Sequence, residues 1–180
     1  MATTQKIPAI SVKLNEQLQD LLDQSKVILS FKKDANVSPN KILTMAAILE
    51  LKNCVINGWV PENIIERIEK TDEFDDLIDL KEDEQIELFK LYDFSEFYFD
   101  RGETKSVSVK VPTEIKQAVQ NSKNWLFLSK KDNICDGDFV LRGFMRLIKL
   151  FESRGEFERL NQSLTKQKEI LATKAARRLA

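Results

Sequence analysis

One five-residue pattern occurs twice in this chain, at residues 10–14 and 107–111. The first copy is Ile-Ser-Val-Lys-Leu and the second is Val-Ser-Val-Lys-Val. Each alternates an apolar with a polar residue, which is typical of a β-strand with one buried face. A strand this short needs a partner strand, and each copy is the best candidate partner for the other. The pattern therefore predicts one two-stranded ribbon made of segments 97 positions apart.

Helical patterns follow both copies in the same order and without a gap. After the first, apolar residues share a helical face over 18–29, and a second, mostly apolar helix is predicted over 39–57. After the second, the same two patterns recur over 115–126 and 139–151. Only nine of the 45 aligned positions starting at residue 10 are identical. The interpretation as an internal duplication therefore depends on the matched order and phase of the elements.

Charge is distributed unevenly along the chain. Residues 58–103 have 16 acidic and 5 basic side chains, whereas the remaining residues have 13 acidic and 23 basic ones. The aromatic content of this acidic segment favours a folded helical insert, with helices over 61–70 and 82–92, over a disordered linker. An acidic DNA mimic is the alternative interpretation. Four segments are thus predicted: a first repeat over 1–57, the acidic helical insert over 58–103, a second repeat over 104–155, and a basic C-terminal helix over 156–180.

The order of strand, helix, loop and helix resembles the ribbon-helix-helix family of DNA-binding proteins, of the Arc, MetJ and CopG kind. The similarity lies in the alternating strand with the residues after it, in a serine that begins the second helix, and in a small residue eight positions later. Here these features are Ile10–Glu16 and Val107–Thr113, Ser38, and Ala46 with its counterpart Gly143. The resemblance implies a mainly α fold with one two-stranded antiparallel ribbon, namely a single-chain ribbon-helix-helix pseudo-dimer.

The chain departs from the family pattern in two places. The segment between strand and second helix is about six residues longer than is usual in the family, so the first helix or its loop must be extended. In the second repeat, Cys135 replaces the serine, and Asp136 and Asp138 follow it. Carboxylates suit a helix N-terminus but repel phosphate. Phosphate binding by the start of the second helix is therefore expected in the first repeat rather than in the second.

The resemblance implies that the ribbon enters the major groove of DNA. Alternate side chains of a strand point to opposite faces, so the outward-facing ones are the candidates for base contacts. These are Ala9, Ser11, Lys13, Ser106, Ser108 and Lys110. The candidates for phosphate contacts are Ser38, Asn40, Lys32, Lys33, Lys130 and Lys131. Each of them is also explicable as an ordinary solvated side chain.

The implied function is sequence-specific binding of double-stranded DNA that contains an imperfect inverted repeat, with transcriptional repression as the commonest role in the family. Self-association on DNA is a further expectation. Two alternatives stay open. One is an accessory DNA-binding factor in plasmid or conjugative DNA processing. The other is an antitoxin-like protein-interaction module that uses the acidic insert.

The sequence favours neither catalysis nor metal binding. It contains no histidine, and its carboxylate clusters lack a paired base, a nucleophile or a glycine-rich loop. Cys54 and Cys135 have no metal-ligand spacing, and both are expected to be reduced thiols. No enzyme activity, metal or cofactor is therefore expected. The chain has no apolar run of membrane-spanning length and no secretory signal, so we expect a cytoplasmic protein without a membrane partner.

Overall fold

The computed structural model describes residues 7–33, 35–63, 81–89 and 102–179, apart from the side chains of residues 33, 175 and 177–179. Over these residues the protein is mainly helical with one two-stranded antiparallel sheet, as predicted. The strands are β1 (Ala9–Leu14) and β2 (Lys105–Lys110). The helices are α1 (Glu16–Lys33), α2 (Pro39–Ile56), α3 (Glu82–Leu88), α4 (Thr113–Lys130), α5 (Asp136–Ser153) and α6 (Glu156–Leu179).

The two strands pair over their whole length, with Ser11 opposite Ser108. Ile10, Val12 and Leu14 are at most 1% exposed, whereas the residues between them face solvent. This alternation follows from the two-residue period of a strand. The prediction that the segments pair antiparallel within one chain is confirmed.

Helices recur in the second half of the chain at a constant shift of 97 positions. The first helix after each strand spans Glu16–Lys33 and Thr113–Lys130, and the second spans Pro39–Ile56 and Asp136–Ser153. The first and last residues of both helices are shifted by this same number. Residues related by the shift also meet in space. Ser11 pairs with Ser108, and a Cβ added to Gly143 would collide with the carbonyl oxygen of Ala46. These contacts lie in the ribbon and at the crossing of α2 and α5.

The core is built around α2 and α5, in which 11 and 12 of the 18 residues are buried. Their ends match the sequence signals. Ser38 accepts a hydrogen bond from the Lys41 N–H at the start of α2, and Gly58 has a φ of +66° just after its end. One prediction was wrong. Trp125, on the face of α4 predicted to be buried, is 48% exposed.

Helix α3 belongs to the acidic segment and packs against the ends of α2 and α5. Its Leu88 is 3% exposed, and the backbone carbonyl of Leu88 accepts a hydrogen bond of 3.0 Å from Arg146. Arg154 donates two hydrogen bonds to the Glu84 carboxylate, which lower the pKa of Glu84 to about 2. The rest of the helices predicted over 61–70 and 82–92 falls largely outside the described residues.

None of the helices in the described ranges combines the length and apolar character needed to cross a lipid bilayer.

Candidate nucleic-acid interface

The outward face of the ribbon carries the six side chains predicted to contact bases. Ser11 and Ser108 face each other near its middle. Lys13 and Lys110 lie two steps from this serine pair in opposite directions. With a rise of about 3.4 Å per residue, the two lysines are about 14 Å apart along the strands. All six residues are exposed: Ala9, Ser11, Lys13, Ser106, Ser108 and Lys110.

The ribbon is held against the helices through its backbone as well as through its buried face. A Cβ on Gly137 would collide with the Ser11 carbonyl oxygen, so the first turn of α5 lies directly on β1. The Lys116 ammonium group donates a hydrogen bond of 3.1 Å to the Ala9 carbonyl oxygen. The outward side chains are therefore displayed from a strand pair supported by helices, rather than from a free hairpin.

Asn40, predicted to contact phosphate, is hydrogen-bonded to the edge of the ribbon. Its amide nitrogen donates to the Lys110 carbonyl oxygen at 2.9 Å, and its amide oxygen accepts from the Lys110 N–H at 2.6 Å. These two bonds join the first turn of α2 to β2 and fix the backbone from which the Lys110 side chain projects. Asn40 is therefore a positioning residue for Lys110, and its contact with phosphate stays a prediction.

Substituting Asn40 by alanine should destabilise the protein by about 1 kcal/mol, since it removes two hydrogen bonds at a partly solvated edge. The direct measurement is hydrogen exchange at the Lys110 amide, which should become faster. Asn15→Ala is the matched control, because Asn15 accepts a hydrogen bond from Leu18 N–H at the start of α1. That change should cost similar stability and leave Lys110 exchange unaltered. Equal exchange rates at Lys110 in the native and Asn40→Ala proteins would contradict this role.

The two helix starts beneath the ribbon differ in charge. At α2, Ser38 is exposed, and the first turn contains no acidic residue. The Ser38 oxygen accepts the capping hydrogen bond, so its hydroxyl proton remains available to an external acceptor. At α5, the Cys135 sulfur accepts the capping bond from Asp138 N–H at 3.3 Å. The predicted difference between a serine start and an acidic start is present in the structure.

Asp136, in the first turn of α5, is neutralised from α4. Lys116 lies 2.6 Å and Lys123 2.5 Å from its carboxylate oxygens. Partial burial opposes ionisation, but hydrogen bonds from both lysines lower the pKa of Asp136 below its usual value. The sequence prediction that this helix start repels phosphate did not include these two cations. Their spacing of seven residues, which places them on one face of a helix, was the available signal.

Four lysines were predicted to contact phosphate, and the structure assigns neighbours to two of them. Lys32 forms an ion pair with Glu156 at the start of α6. The Lys130 ammonium lies 3.6 Å from the centre of the Trp59 ring, a cation–π contact. Lys131 ends α4 with a φ of +58° and is exposed. The side chain of Lys33 lies outside the described residues. Phosphate contacts by these lysines stay a prediction.

Compared with protein-family models, with curated proteins and with solved structures, the chain shows no significant match. In the part of the chain that the structure describes, no group of three or more cysteine, aspartate or glutamate side chains is arranged to bind a metal ion.

Proposed function

We propose that the protein binds double-stranded DNA sequence-specifically by inserting its ribbon into the major groove as a single-chain ribbon-helix-helix pseudo-dimer. The observation that carries the proposal is the outward face of the ribbon, where paired serines at the centre are flanked by one lysine on each side. A two-stranded ribbon fits the major groove, whose width is about 12 Å. Serine and lysine can both bond to base edges there.

The pseudo-dimer is supported by the contacts between residues 97 positions apart. In an antiparallel pair, a twofold axis passes through a residue pair only if the two residues are equivalent. Ser11 and Ser108 are equivalent by the shift and opposite each other in the register. Ala46 and Gly143 are equivalent by the same shift and meet at the helix crossing. Both contacts are what one approximate twofold axis through the molecule would produce.

An approximate axis implies an approximate inverted repeat in the DNA. The two outward sets, Ala9/Ser11/Lys13 and Ser106/Ser108/Lys110, differ only at their first position. We therefore expect two half-sites that differ in one base preference. Phosphate contacts would come from the start of α2, where the Ser38 hydroxyl proton meets no acidic residue in the first turn. Transcriptional repression is the role that this mode of binding supports most simply.

Replacing Lys13 or Lys110 by alanine should weaken binding to the preferred site by about 1–3 kcal/mol, because each lysine would lose its bonds to a base. Each substitution should relax specificity in its own half-site only. Selection from random duplexes, followed by titration of the selected site at fixed salt, measures both effects.

Lys105→Ala provides the matched control for this pair. Lys105 has the same charge and lies in the same strand as Lys110. By the two-residue period of the strand, however, it belongs to the face turned towards the helices and not to the outward face. If Lys13 and Lys110 contact bases, Lys105→Ala should change the sequence specificity of DNA binding little. If all three substitutions lower affinity equally for every DNA sequence, the lysines act through phosphate and the ribbon does not recognise bases.

A further inference from the structure

The C-terminal helix α6 carries an apolar stripe that continues beyond the core. Phe157 and Leu160 pack against the core, and the Phe157 ring meets Phe151 edge-on at 6.0 Å. Leu164 and Leu171 continue the same helical face at spacings of four and seven residues, but they are 44% and 65% exposed. The stripe that fixes the helix to the core thus continues without a partner in the described structure.

Positive charge borders the exposed part of this stripe. Residues 161–174 contain three lysines and one glutamate, and all of them are exposed. On a helical projection, Lys168 and Lys174 fall on either side of Leu164 and Leu171. An apolar surface of this kind fits a partner that is apolar at its centre and acidic at its rim. It does not suit a second α6, because like charges would then face each other.

Helix α3 presents the complementary surface. Its Ile86 is 67% exposed and shares a helix face with Glu82 and Asp83, four and three residues before it. A shallow groove next to Ile86 continues onto the end of α5, where Leu150, Ser153 and the Lys149–Glu152 ion pair line it. On the α3 side it is lined by three carboxylates, those of Asp83, Glu84 and Glu87. The helix itself is fixed in place by its buried Leu88 and by the Glu84–Arg154 pair.

The two surfaces of one molecule cannot meet each other. The Glu84–Arg154 pair places α3 beside the start of α6, because Arg154 is two residues before that helix. At a rise of 1.5 Å per residue, Leu171 lies about 22 Å further along the helix axis from Glu156. Phe157 and Leu160 hold the first turns of α6 on the core, so the exposed stripe lies further along the helix than the end that adjoins α3.

We infer that the exposed stripe of α6 docks onto the acidic groove beside α3 of a second copy of this chain. The contact joins different surfaces of the two copies, so each bound copy leaves one surface of each kind free. Such an interface propagates head to tail unless it closes into a ring. The contact is between protein surfaces and does not require the DNA binding proposed above.

Charge reversal tests the contact in the full-length protein without DNA. Sedimentation velocity at low salt should show species that grow with protein concentration. Lys168→Glu with Lys174→Glu, and separately Glu82→Lys with Asp83→Lys, should each lower the association constant about tenfold or more, because attraction becomes repulsion. Combining all four substitutions restores opposite charges, and the association should return. Leu171→Ser should weaken association without a change of charge.

Three outcomes would overturn the inference. The native protein could stay monomeric at every concentration. The fourfold variant could fail to regain association although its circular dichroism matches the native protein. Alternatively, the α6 variant could keep self-association and lose affinity for DNA at concentrations where single copies bind, which would make α6 a DNA contact. Loss of DNA binding with intact self-association in the lysine variants of the ribbon would instead count against the ribbon proposal alone.

Discussion

Replacing Gly143 by valine is expected to destabilise the protein by about 3 kcal/mol or more, or to prevent folding. A single Cβ at this position already collides with the backbone of Ala46, and backbone atoms cannot rotate away as the end of a side chain can. The two central helices would have to separate, which would open the most densely packed part of the core. Gly143→Ala should also destabilise the protein, but by less than Gly143→Val. Urea denaturation measures the free energy of unfolding of each variant.

Gly102→Ala is the control for this series, because no atom lies within 4 Å of a Cβ added at residue 102. Its effect should stay within about 0.5 kcal/mol, as is usual for surface substitutions. A Gly143→Val protein as stable as this control would mean that α2 and α5 do not cross at this point.

The ribbon and the paired helices could be predicted from the sequence because they depend on periodicity. Alternation in Ile-Ser-Val-Lys-Leu identified the strand and its buried face, and the second copy identified its partner. The helix ends could also be predicted, because Ser38-Pro39 and Asn57-Gly58 act through backbone groups close to them in the chain. The face of α4 was predicted less well. Trp125 and Leu126 are neighbours in the apolar pattern, but only Leu126 is buried, at 1% exposed against 48% for Trp125.

Contacts between distant polar side chains could not be predicted in this way. An asparagine amide can bond to phosphate, water or backbone, and only the tertiary neighbour of Asn40 decides that it holds Lys110. The same holds for Asp136, whose charge was evident from the sequence while its two lysine partners were not. Sequence patterns therefore leave open which partner each polar side chain binds.

The buried ion pair of Glu50 and Arg146 is the largest feature that the sequence analysis missed. The Glu50 side chain is 1% exposed and that of Arg146 is 2% exposed. Arg146 Nε lies 2.7 Å from Glu50 Oε2, between α2 and α5. Each interrupts an otherwise apolar stretch, which was the available signal. At the shift of 97 positions, Glu50 corresponds to Leu147 and Arg146 to Leu49, and both leucines are buried. At the two positions that correspond to this pair, the core therefore holds buried leucines.

Substituting Arg146 alone by leucine should destabilise the protein by about 3–5 kcal/mol, because the Glu50 carboxylate would stay buried without its guanidinium partner. Glu50→Leu alone should cause a loss of similar size by isolating the cation. Substituting both should bring the protein back to within about 2 kcal/mol of the native stability. Leucine fits both sites. The remaining cost is two lost hydrogen bonds, one from Arg146 to the Leu88 carbonyl and one from the buried Asn53 amide to Glu50.

A double-mutant cycle by urea denaturation gives the coupling between the two residues. Burial raises the pKa of Glu50 although Arg146 opposes the shift, so the folded protein holds a proton there more readily than the unfolded chain does. Without Arg146, the cost of ionising Glu50 is present at neutral pH. It begins to fall when the pH drops below the folded pKa of Glu50, and it is gone below the unfolded pKa. The Arg146→Leu defect should therefore shrink on acidification, and that of Glu50→Leu should not. Additive losses in the double variant, independent of pH, would mean that the two residues stabilise the core through packing rather than through their charges.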